Sequence, residues 1–176
     1  MKKSILAFAF ILVSFIATSQ EHGHQEHETF KHFRVSPIIS HTYIPTTTSE
    51  GDKSVIVPTL GLDLEYWINE KWGFGFHNDL ELETFEIEKE HEVFIEREFP
   101  LVLTLDALYK FKEHWVLVLG SGVELEKNED FFIIRAGLEY EVEFGKHWDV
   151  SPTIVYDHRS NSTSTFGIGI GIGKRF

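Results

Sequence analysis

The chain has 176 residues, the size of one domain, with 28 acidic against 16 basic side chains and a formal charge of −12. That balance repels phosphate backbones, so no nucleic acid partner is expected. There is no cysteine, which excludes a lipid-anchored lipoprotein, a disulfide framework and thiolate metal sites.

Residues 1–19 read as a secretory signal peptide. Lys2 and Lys3 form a basic start, Ile5 to Ile16 is apolar apart from Ser14, and Ala17-Thr18-Ser19 supplies small residues for cleavage. Residues 20–31 form a polar tail, expected in the periplasm. His22, His24 and His27, with His32 just beyond, lie among Glu21, Glu26 and Glu28. Imidazoles at this density suit Zn²⁺, Cu²⁺ or Ni²⁺, and the competing reading is a solvated linker.

From residue 32 onward the dominant period is two, and eight runs follow. The first spans about Phe33 to Tyr43. The second sets Leu60, Leu62, Leu64 and Tyr66 against Thr59, Gly61, Asp63 and Glu65. The third sets Phe74, Phe76, Leu80 and Leu82 against Gly75, His77, Asp79, Glu81 and Glu83, and the fourth runs from Glu98 to Lys110. The fifth covers Leu117 to Glu124, and the sixth covers Phe132 to Phe144 with Arg135, Glu139, Glu141 and Glu143 on its polar face. The seventh is Trp148 to Asp157. In the last, Phe166, Ile168, Ile170, Ile172 and Phe176 oppose Gly167, Gly169, Gly171, Gly173 and Arg175.

The connections alternate in kind. Asn69-Glu70-Lys71, Lys112-Glu113-His114 and Gly145-Lys146-His147 are tight, each followed by a tryptophan. Pro45 to Lys53, Glu88 to Glu92, Glu126 to Asp130 and His158 to Thr163 read as longer loops. Both termini then fall at the short-turn end.

Three features turn the apolar face outward. The glycines of the last run leave room for long charged side chains from neighbouring strands. The aromatics Trp72, Trp115, Trp148, Tyr66, Tyr109, Phe111 and Phe144 gather at the short-turn end as a girdle. The chain ends on a strand, and lipid tolerates no open edge. The expected fold is therefore all-β, an eight-stranded antiparallel up-and-down transmembrane barrel over residues 32–176. Eight strands enclose a lumen just wide enough to be filled by side chains, which argues against an open pore.

A last strand of alternating apolar residues ending in Phe176, after a signal peptide, resembles the small outer-membrane β-barrel proteins of the OmpA/OmpX/OmpW size class. The resemblance implies outer-membrane lipid and the barrel-assembly machinery as partners, with both termini periplasmic.

Parity places a carboxylate-rich set in the lumen: Asp79, Glu81, Glu83, Glu98, Glu124, Glu139, Glu141 and Glu143, together with Asp63, Glu65, Glu96, Asp106, Glu126, Asp149 and Asp157. Arg34, Lys110, Arg135, Arg175 and His77 share that face. Buried charges require partners, so an ion-pair network is expected, with a divalent cation such as Ca²⁺ or Mg²⁺ as the sharper reading. No other cofactor is implied.

His158-Arg159-Ser160-Asn161 looks like the catalytic segment of outer-membrane lipid A deacylases. Carried over, the resemblance makes His158 the base and Ser160 the nucleophile. The segment Thr163 to Phe176, where that family places its orienting acid, holds no Asp or Glu. The function expected from the sequence is a non-enzymatic structural or interaction protein of the envelope. The alternatives are a deacylase-like enzyme and a small-solute or metal transporter.

Overall fold

A computed structural model describes residues 30–48, 51–89, 93–160 and 162–176. Among them there is no helix. The strands are β1 Phe33–Thr48, β2 Gly51–Trp67, β3 Trp72–Glu81, β4 Thr84–Lys89, β5 Val93–Glu98, β6 Leu101–Lys110, β7 Trp115–Leu125, β8 Phe131–Tyr140, β9 Val142–Phe144, β10 Trp148–Arg159 and β11 Thr165–Arg175. Eight staves pair antiparallel in the order β11-β1-β2-β3-β6-β7-β8-β10, and β10 pairs with β11 to close the ring. β9 continues β8 along β10, while β4 and β5 form a separate two-stranded extension above β3 and β6.

The seam is a ladder from Arg34 opposite Arg175 to Tyr43 opposite Phe166, broken only at Ser36 and Pro37. At its lower end the Phe176 N–H donates to the Phe33 carbonyl at 2.8 Å. No edge remains on the ring, as the absence of water in a bilayer core demands.

Alternation decides the faces. Ile39, Leu105 and Ile168 are 65%, 70% and 66% exposed, and similar apolar side chains circle the barrel. Arg34, Ser36, Asp63, Glu65, Thr104, Glu139 and Ser151 are buried inside. A water-soluble barrel has the reverse arrangement. Gly173 shows why the last strand is glycine-rich: a Cβ there would sit 2.5 Å from Arg34 Nε and from Asp149 Oδ2.

The turns at one end are built locally. Asn69 Oδ1 accepts the N–H groups of Lys71 at 2.9 Å and Trp72 at 3.0 Å, closing the β2–β3 turn. Gly145 (φ 63°) and His147 (φ 64°) make the β9–β10 turn through the left-handed region. Trp72 and Tyr109 stack nearby with ring centroids 4.4 Å apart.

The opposite end departs from the sequence reading. On both sides of residues 49–50 the expected loop is strand, because β1 and β2 stay paired from Pro45 opposite Ser54 to Thr48 opposite Gly51. Thr46-Thr47-Thr48 and Val55-Ile56-Val57 are β-branched runs, which favour extending the ladder. Likewise the chain on both sides of residues 90–92 is paired as β4 and β5. That hairpin leans across the mouth. Phe85 and Ile87 pack against Ile44 of β1, Val57 of β2 and Phe131 of β8 as a buried apolar cap.

Candidate functional site

The lumen carries the buried chemistry of this chain. At the short-turn end Trp67 is buried with Leu108, Val116 and Val118. Its indole N–H donates to Glu65 Oε2 at 2.6 Å, and Arg175 lies over its ring at 5.0 Å. Below this plug a basin of about 590 Å³ opens, lined in part by Phe30, Lys71, Lys110, Phe111 and Arg175.

Above Trp67 the ion pairs form three layers. In the first, Arg34 bonds Glu65, donates to Asp149 Oδ1 at 2.7 Å and to Ser151 at 2.9 Å, and lies 3.5 Å from Glu139. Glu141 takes Lys110 and Arg175, each at 2.7 Å. In the middle layer Arg135 grips Asp157 with two bonds and meets Asp79 at 2.8 Å. There too, His77 Nδ1 lies 3.3 Å from Asp106 Oδ2, which also accepts the Thr104 hydroxyl at 2.6 Å. In the third layer Arg159 bridges Glu81 at 2.9 Å and Glu124 at 2.5 Å, and Arg97 meets Glu124 at 2.5 Å. Arg97 also lies 4.5 Å above the Phe131 ring, under the apolar cap.

Charge is distributed unevenly. In the third layer Arg159 and Arg97 face Glu81 and Glu124, and Arg97 also reaches Glu126 of the rim at 3.5 Å. In the middle layer Asp79, Asp106 and Asp157 face the single guanidinium of Arg135. Within the lumen, beside the middle layer, lies a cavity of about 40 Å³, with Asp63, His77, Asp79, Arg135 and Glu139 among its walls.

Of the carboxylates expected in the lumen, Asp79, Glu81, Glu124, Glu139 and Glu141 are there, each in an ion pair. They are spread over the three layers rather than converging on one point. Glu83, Glu98 and Glu143 are exposed instead, as is Glu96. Glu83 and Glu143 keep the inward parity but stand beyond the packed lumen. Glu96 and Glu98 fail for a different reason. Phe99 adopts φ 48°, and the inward phase changes there from even numbers in β6 to odd numbers in β5. The inward residue of β5 is therefore Arg97, which the alternation did not indicate. Arg159, also missed, shares the parity of Asp157 and lies just past the expected end of the seventh run.

His22, His24 and His27 lie outside the described residues. His32 Nδ1 is 2.7 Å from the Trp67 carbonyl, and its ring stacks on Tyr66. At the deacylase-like segment His158 Nδ1 meets Ser164 Oγ at 3.0 Å, and Tyr156 donates to the same oxygen at 3.0 Å. The Ser160 amide donates to the Phe132 carbonyl. The imidazole is thus paired with Ser164, not with Ser160.

No protein-family model matches the sequence, and no curated protein matches it. Solved structures do resemble the fold. Ail of Yersinia pestis, solved in complex with the heparin analogue sucrose octasulfate, aligns with TM-score 0.56 and 12% identity over 84% of this chain and 100% of its own. Neisserial surface protein A gives 0.55 and 12%, over 82% and 97%. OprG of Pseudomonas aeruginosa gives 0.52 and 12%, over 83% and 96%. At these identities the likeness establishes the architecture, that of small eight-stranded outer-membrane barrels.

Proposed function

We propose that the protein is a bacterial outer-membrane barrel with a non-enzymatic structural or interaction role, its termini periplasmic and its β4–β5 end facing outward. One observation carries this reading: an apolar exterior surrounds a closed ring whose charges are inside. Only a lipid environment makes that arrangement favourable. The assembly machinery and outer-membrane lipid are the partners this placement requires.

The interior supports a non-conducting role. Trp67 closes one end, the Ile44–Phe131 cluster closes the other, and the ion pairs leave about 40 Å³ between them. Recognition then falls to the outward rim. Glu83, Glu96, Glu98 and Asp130 are exposed at that rim, which favours a cationic partner over a sulfated ligand of the kind bound to Ail.

Fractionation of cells tests the placement. The protein should partition with outer membranes and resist alkaline extraction, and recovery in the soluble periplasm would overturn the reading. In a planar bilayer the purified barrel should show no steady single-channel current. Reproducible conductance would favour a transporter.

A further inference from the structure

We infer that the middle of the lumen holds a site for one divalent first-row transition-metal ion, bound by Asp63, Glu65, His77 and Glu139. All four are buried, and each offers a ligand atom within 4.8 Å of the other three. Metal–ligand bonds of about 2.1 Å require donors no more than about 4.2 Å apart, so small rotations of the carboxylates complete the shell.

The imidazole separates this cluster from a mere group of acids. His77 is 3% exposed, and its Nε2 has no hydrogen-bond partner. A buried ring nitrogen without a partner is costly unless something binds it. Nδ1 faces Asp106, itself held by Thr104. A proton on Nδ1 serves that carboxylate and leaves the Nε2 lone pair free, the outer-shell arrangement that commonly orients a metal-binding histidine.

Space and charge agree. Nε2 lies over Gly75, where a Cβ would collide with the ring, and Gly75 stands opposite Glu65 in the β2–β3 ladder. The 40 Å³ cavity bordered by Asp63, His77 and Glu139 has room for an ion with a water or two. Arg34 contacts Glu65 and Glu139, and the three carboxylates when ionised outweigh this one guanidinium by two negative charges. A divalent cation neutralises that excess. One imidazole among carboxylates suits Mn²⁺, Fe²⁺, Co²⁺ or Zn²⁺ better than Ca²⁺, which takes six to eight oxygens.

The test uses the full chain folded in detergent, with Co²⁺ supplied both during and after refolding and followed by its visible absorption. One Co²⁺ per chain should bind, displaceable by Zn²⁺ and more tightly held than Ca²⁺. Binding should survive replacement of His22, His24 and His27 by Gln, and weaken at least tenfold in His77→Gln and Glu139→Gln. Asp106→Asn keeps all four ligands and should weaken binding about 10- to 100-fold, which decides the matter if His77→Gln fails to fold. No bound Co²⁺, loss of binding with the tail histidines, preference for Ca²⁺, or unchanged affinity in Asp106→Asn would overturn the site. None of these outcomes bears on whether the barrel fractionates with membranes.

Discussion

Arg135 clasps Asp157 side-on, Nε to Oδ1 at 2.8 Å and Nη2 to Oδ2 at 2.7 Å. The two lie opposite one another on β8 and β10, so backbone register alone brings the fork to the carboxylate. Because Asp79 shares the same guanidinium, removing Arg135 strands the buried Asp157 carboxylate and the half-buried Asp79 carboxylate. Arg135→Met should cost about 3–5 kcal/mol in urea unfolding from detergent or bilayer. The double variant Arg135→Met/Asp157→Leu should be less destabilised than the single one. Additive losses would mean the fork contributes nothing specific.

Gly173 offers a steric test. Gly173→Val pushes atoms into Arg34 and Asp149 beside the closing seam. It should reduce the fraction of chain that refolds, read as loss of the compact band in unheated gel electrophoresis. Gly167→Ala, whose new Cβ meets nothing nearer than 3.8 Å, should refold like the wild type. Equal behaviour of the two would contradict the packing described.

The exterior predicts a depth profile. Leu105 is 70% exposed on the apolar belt, so Leu105→Arg should destabilise the bilayer-embedded barrel by about 2–4 kcal/mol. Phe111→Arg, at the short-turn rim, should cost about 0–1 kcal/mol. Matching losses at the two sites would speak against a lipid-facing belt.

A pH dependence arises at the rim. Burial pushes the Glu126 carboxyl up, but the N–H groups of Asn128 at 2.8 Å and Glu98 at 3.3 Å, with Arg97 close by, outweigh it and hold the group below the ordinary carboxylate range. The folded value lies below the unfolded one, so the charged form adds stability above the unfolded value. That contribution disappears as pH falls through the folded value. The urea midpoint of Glu126→Gln should therefore fall below wild type at neutral pH and converge with it in acid. A pH-independent gap would assign the effect to packing.

The barrel itself was legible because a period of two, tight turns and a terminal strand all state one architecture. The lumen was legible wherever the phase ran unbroken, as in Asp63, Glu65, Glu81 and Glu139. It failed at Phe99, since a non-glycine residue in the left-handed region carries no mark that the alternation is about to invert. It failed again at Arg159 because the seventh run continues beyond its apolar core. The cluster around His77 was hidden for a third reason. Its carboxylates come from β2 and β8, four staves apart around the ring, and pattern within one strand says nothing of what lies across the lumen.

Arg34 and Asp149 are separated by 115 residues and meet only because β11 pairs with both of their strands. A sheet that has not yet zipped along that seam leaves this pair apart and hydrated on opposite borders. The contact between Arg34 and Asp149 therefore exists only in the closed ring, and its presence reports that the seam has formed.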